Sequence, residues 1–164
     1  MKRSIFFLTA LFLGTFMYGT FANAATMSVV SESSTIAANE EFAINIKIDT
    51  EAASFNAVQT TVTFPKDVLE IVSTDKANSA LSFWLEEPVI APGTVRFTAG
   101  SASGLSGKSL QVLRIVFRMK GSGSAEIALS DSAVTAADGV GTNVLNRSSG
   151  LKIIAPVQTG DSQE

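Results

Sequence analysis

The sequence predicts an all-β chain folded as a two-sheet sandwich. Three observations carry that prediction. Apolar and polar residues alternate with a period of two along most of the chain after residue 25. Turn signals recur at short intervals, and no stretch there keeps the spacing of an amphipathic helix. About nine strands, each with one apolar and one polar face, are enough for two packed layers.

Before the strands comes a segment of another kind. Lys2 and Arg3 form a positive start, residues 5–21 are an uncharged apolar run, and Ala22-Asn23-Ala24 offers the small residues of a cleavage site before Ala25. That order predicts a secretory signal peptide over residues 1–24. The alternative is an uncleaved anchor, because the run is near the lower limit for spanning a bilayer. Without cysteine, a bacterial lipid anchor is ruled out. Cleavage takes two positive charges from a net charge of −3, which becomes −5, and removes five of the eleven Phe and the only Tyr. The mean hydropathy of +0.30 is therefore raised by this segment.

The strands follow in order. Phe42, Ile44, Ile46 and Ile48 alternate with Ala43, Asn45, Lys47 and Asp49. Val58, Thr60, Val62 and Phe64 alternate with Ala57, Gln59, Thr61 and Thr63, and Pro65 stops the run. Val95, Phe97 and Ala99 alternate with Thr94, Arg96 and Thr98; Leu113, Ile115, Phe117 and Met119 with Arg114, Val116, Arg118 and Lys120; Ile127 and Leu129 with Glu126 and Ala128. Shorter candidates lie at 27–32, 68–74, 81–85 and 151–155. Ala91-Pro92-Gly93, Gly121-Ser122-Gly123 and Asp138-Gly139 mark turns. The domain is expected over 25–155, and the polar segment 156–164 reads as a tail or linker.

Composition excludes much chemistry. With no His and no Cys, there is no Ser-His-Asp triad, thiol nucleophile, Cys/His zinc site or disulfide. Only carboxylates, hydroxyls and lysines remain, and no catalytic residue, metal ligand or cofactor is expected. A pI near 5.0 provides no electrostatic footprint for nucleic acid.

Local patterns point the same way. Ala102-Ser103-Gly104-Leu105-Ser106-Gly107-Lys108-Ser109 satisfies a loose P-loop pattern, but strand spacing follows where a phosphate-cradling helix is required. It predicts a loop and no nucleotide. Glu86-Glu87 suggests paired glycosidase carboxylates, yet neighbours on a strand point to opposite faces. The segment from Asp138 to Asn143 lacks the alternating acids of a calcium loop and reads as a Gly-rich hairpin. Asn146-Arg147-Ser148 matches a glycosylation triplet that is frequent by chance. Trp84 faces outward if Leu81, Phe83 and Leu85 face inward, and an exposed Trp can anchor a partner or a sugar ring.

The order of these features resembles a cohesin domain, the module of bacterial scaffolding proteins that docks dockerin domains. The residues carrying the likeness begin with Phe42-Ala43-Ile44-Asn45-Ile46-Lys47-Ile48-Asp49, similar to the family's second strand. They continue with residues 56–71, which resemble its third and fourth strands, Thr94-Val95-Arg96-Phe97-Thr98-Ala99-Gly100, which resembles the sixth, and residues 109–120, similar to the long strand that follows. Gly150-Leu151-Lys152-Ile153-Ile154 is placed like the closing strand. The match spans about residues 26–155, and Pro65 stands where many cohesins carry Asp.

The resemblance implies a nine-stranded jelly-roll sandwich and a non-catalytic, secreted or cell-surface binding module linked to polysaccharide degradation. Its partner would be a dockerin-type domain that carries its own calcium. In that family the partner lies across a sheet built from the third, fifth, sixth and eighth strands. Carried onto this chain, the outward residues are Gln59, Thr61 and Thr63, then Trp84, then Arg96 and Thr98, then Glu126 and Ala128. The first three form an uncharged ridge suited to protein contact without a large desolvation cost. Arg96 and Glu126 would supply flanking charge that sets specificity. Two other readings stand beside this one. A carbohydrate-binding module would rest its platform on Trp84 nearly alone, and a structural adhesion domain needs no site.

Overall fold

The computed structural model describes residues 24–51 and 53–157. The expected signal peptide and the end of the tail lie outside the described residues. Ten strands follow in chain order: β1 (Ala25–Ser31), β2 (Glu41–Thr50), β3 (Phe55–Thr63), β4 (Leu69–Asp75), β5 (Phe83–Ala91), β6 (Thr94–Leu105), β7 (Leu110–Met119), β8 (Gly123–Ala136), β9 (Leu145–Ser149) and β10 (Leu151–Ala155). They form two five-stranded sheets, β4-β7-β2-β1-β9 and β10-β8-β3-β6-β5. The sandwich and its jelly-roll arrangement are those expected.

The strand number differs from the expected nine because a further strand, β9, precedes the closing one. β9 pairs parallel with β1 in one sheet, and β10 pairs antiparallel with β8 in the other. Gly150 alone separates them, pressed so closely on β8 that a Cβ would run into the carbonyl oxygen of Ile127. A side chain at that crossover would push the two strands apart.

Alternation becomes burial along the strands read most directly. Phe42, Ile44, Ile46 and Ile48 of β2 and Leu113, Ile115, Phe117 and Met119 of β7 are buried between the sheets. Where β2 and β7 shift register beside Ile46, β7 carries an extra buried residue, Val112. Phe117 is the aromatic centre of one end, stacked on Phe42 with centroids 5.8 Å apart and edge-on to Phe64 at 5.1 Å. Phe55 and Phe97 are likewise fully buried.

The phase of β5 is the reverse of the one the alternation predicts. Paired residues on adjacent strands share a face, and Trp84 pairs with Ala99, which is fully buried. The small Ala99 leaves room for the indole, which packs inward on Phe97 with centroids 5.6 Å apart. Phe83 pairs with Gly100 on the outside, and its ring occupies the place of the missing side chain: a Cβ on Gly100 would lie 2.6 Å from Phe83 Cζ. A register shift between Trp84 and Glu86 then returns Glu86 to the outer face beside Thr98. Leu85, expected inside, is 68% exposed. Trp84 is thus removed from the outward set, and with it goes the sugar platform that would have rested on it.

The remaining patterns resolve simply. The segment 102–109 is the end of β6 and the turn into β7, pinned by the Thr50 hydroxyl accepting from Gly107 N at 2.9 Å and by Asp49 accepting from Ser109 N at 2.7 Å. No helix follows it. Glu86 and Glu87 turn to different partners, Arg96 and Lys76.

Candidate functional site

The outer face of the β10-β8-β3-β6-β5 sheet gathers most of the residues expected to bind. Pairing sets them in rows. Ala128 of β8, Thr63 of β3, Thr94 of β6 and Ala91 of β5 form one row; Ser130, Thr61, Arg96 and Val89 the next; Ala133, Gln59, Thr98 and Glu86 the third. Gln59, Thr61, Thr63, Arg96, Thr98 and Ala128 are therefore contiguous. Glu126 sits one outward position further along β8, opposite Lys152 of β10, at the end of the face. Trp84 is on the other side of the sheet.

Threonine occupies β3 and β6 because a β-branched side chain suits a pleated surface, whether covered or not. Its methyl and hydroxyl groups leave the middle of the face uncharged. The exception is Arg96, whose guanidinium donates to Glu86 Oε1 from Nε at 3.0 Å and from Nη2 at 2.6 Å. That pair is internally neutral and holds both side chains against the sheet. A shallow depression runs across four strands, lined by Gln59 and Thr61 of β3, Thr94 and Arg96 of β6, Val89 of β5 and Asp131 of β8.

Sequence reasoning missed two parts of this face. One is the apolar border on β5, where Phe83 is 45% and Val89 49% exposed. Reading β5 in the wrong phase hid Phe83, and only the Gly100 opposite it signals an outward ring. The border belongs to an edge strand, but Pro88 lacks an amide proton and the register shifts around Glu86 break the ladder, so the edge is blunted against strand addition. The other is Asp131, in a polar triplet, Ser130-Asp131-Ser132, that interrupts the apolar pattern between Leu129 and Val134.

The Asp138 loop lies elsewhere and is occupied with its own backbone. The Asp138 carboxylate is held below the usual range by the Thr142 hydroxyl and by the amides of Val140 and Gly141, at 2.9 and 3.1 Å. Among the described residues no three carboxylates converge as metal ligands would.

No family model matches the chain, and no curated protein matches it in sequence. Its fold does have relatives among solved structures. A non-cellulosomal cohesin from the archaeon Archaeoglobus fulgidus superposes with a TM-score of 0.65 at 15% identity, covering 80% of this chain and 92% of that one. The cohesin module of a Clostridium perfringens family 33 glycoside hydrolase gives 0.66 at 14%, covering 81% and 97%. The sixth cohesin of Acetivibrio cellulolyticus scaffoldin B, in complex with a dockerin, gives 0.61 at 15%, covering 81% and 99%. These likenesses cover about four fifths of this chain, and they show that it has a cohesin-like fold.

Proposed function

We propose that the chain is an exported, non-catalytic module that docks a dockerin-type protein domain on the outer face of β8, β3, β6 and β5. One observation carries the reading. In a cohesin-like sandwich, the four strands on which that family receives its partner present a contiguous, nearly uncharged surface with an apolar border. Such a surface loses little hydration energy when covered. The Acetivibrio cohesin seen with a dockerin and the Clostridium cohesin belonging to a glycoside hydrolase support a partner attached to polysaccharide degradation. Calcium would be carried by the partner's loops. Export and a boundary after residue 24 are supported by the Lys2-Arg3 start, the apolar run, the Ala22-Asn23-Ala24 site and a first strand that begins at Ala25. N-terminal sequencing of the exported chain checks the boundary: Ala25 first agrees with it, and Met1 makes the segment an anchor.

The docking test is capture from the native host's secreted proteins on the immobilised chain, with and without a calcium chelator, read by mass spectrometry. Retained proteins that share paired calcium loops and are released by chelation are the expected result. Retention that chelation does not touch, or none at all, rejects the dockerin partner.

A further inference from the structure

The uncharged face has one built irregularity. Between Gln59 and Thr61, β3 advances two residues while β8 advances three, from Ala133 to Ser130. The extra residue makes a β-bulge, and Asp131 within it takes φ +48°, a left-handed conformation that Asp tolerates better than most side chains. The bulge is held from beneath. Thr60 is fully buried, and its hydroxyl lies 2.7 Å from Ser132 Oγ. Ser132 Oγ donates in turn to the Ser130 carbonyl at 3.2 Å, and Ser130 Oγ to the Thr61 carbonyl at 3.4 Å. A buried hydroxyl needs such partners, and here they fix the backbone on either side of Asp131.

The consequence is electrostatic. Asp131 is exposed and lines the depression together with Arg96. Arg96 is already matched by Glu86 through two hydrogen bonds, whereas Asp131 has no ion-pair partner among the described residues. The depression therefore keeps one uncompensated negative charge, in the middle of a surface otherwise made of hydroxyl, amide and methyl groups. An isolated charge at such a place discriminates between partners, because covering it without a counter-charge is costly.

We infer that the bulge at 130–132 makes Asp131 the specificity-determining residue of this face, and that the partner sets a lysine or arginine side chain against it. The inference rests on the docking face proposed above. Thr60 is a positioning residue: it acts on the partner only through the bulge.

A phage-displayed library built on a dockerin domain with a randomised helical surface, panned on the purified chain, tests this. Selected clones should carry Lys or Arg at a recurring position. Changing that residue to Gln should weaken binding to the native chain about tenfold, and to an Asp131→Asn chain less than about twofold. Thr60→Val should pull the tenfold ratio down toward about threefold, an effect that a merely structural role, visible only in Tm, would not produce. Clones without a basic preference, or with the same ratio on Asp131→Asn, overturn the inference. If such clones are still lost with Thr61→Arg, the face itself survives. Clones indifferent to both substitutions, or a library that yields none, remove face and inference together. A chain that elutes as a dimer and becomes monomeric with Thr61→Arg has its own copy as occupant, which also overturns the assignment.

Discussion

The two outer faces of the sandwich are built by the same alternation and carry opposite chemistry. On the β4-β7-β2-β1-β9 sheet, Arg118 of β7 reaches both Glu41 of β2 and Glu70 of β4, and two rows further on, past Ala43, Val116 and Ser73, Asn45, Arg114 and Asp75 stand abreast. Lys47 and Asp49 continue the charged pattern and bond the turn before β7. The equivalent rows on the other sheet hold Thr, Gln, Ser and Ala around one neutral ion pair and one aspartate. Charged side chains keep a sheet face in water, since burying them costs more than an exposed pair returns. Hydroxyl and methyl groups impose no such penalty. Fold alone therefore makes both faces of one kind, while composition makes the β8-β3-β6-β5 face the one proposed to receive a partner.

The largest effect expected on stability separates what supports the proposed docking face from what forms it. Trp84 lies behind that face, against Phe97, with Lys76 Nζ 5.2 Å from its ring centroid. Trp84→Ala should cost about 2–3 kcal/mol, less than a fully buried Trp because part of the residue stays exposed. It should not alter retention on insoluble polysaccharide, measured by co-sedimentation. Retention by the native chain that disappears in the variant would restore the sugar reading.

A pair of identical substitutions sharpens the comparison directly. Thr61→Arg and Ala43→Arg each place a long cation in the middle of one outer face, opposite Arg96 and Val116 respectively. Thr61→Arg should weaken partner binding about a hundredfold while Tm changes little, because the site is outward. Ala43→Arg should change binding less than about twofold. Equal effects, measured by isothermal titration with the captured partner, would mean that the docking surface includes both faces or neither.

How far this contrast could be read in advance depended on where each residue's environment comes from. β2 and β7 are interior strands whose inward residues, Thr50 at the end of β2 apart, are apolar, so their phase was visible in the chain itself. β5 is an edge strand rich in apolar residues on both sides, and nothing within 81–91 decides between Phe83 and Trp84. Ala99 and Gly100 decide it, across the sheet, by offering space on the inner and outer sides respectively. β9 was invisible for a related reason: Asn146, Arg147, Ser148 and Ser149 have no apolar rhythm, and the strand exists because β1 offers its backbone. Most expected face residues came together because β3 and β6 are read as reliably as β2. Asp131 did not, since a bulge is a relation between two strands.

The smallest expected effect concerns a carboxylate that belongs to neither face. Asp138 is fully exposed, and the hydrogen bonds from Thr142, Val140 and Gly141 lower its pKa from the ordinary 3.8. A group whose folded pKa is depressed adds stability above its unfolded value and loses it as pH falls through the folded one. The contribution of Asp138 is therefore complete at neutral pH, begins to fade near pH 3.8, and is gone below the lowered folded value. Asp138→Asn keeps an acceptor oxygen but cannot titrate, so its Tm should lie slightly below that of the native chain at pH 7 and the gap should close under acid. A constant gap across that range would mean that the loop is held by geometry alone. Because Asp138 lies outside the depression, the same variant should bind the partner with unchanged affinity at neutral pH. Any loss there would draw the Asp138 loop into the docking surface and move its boundary off the four strands.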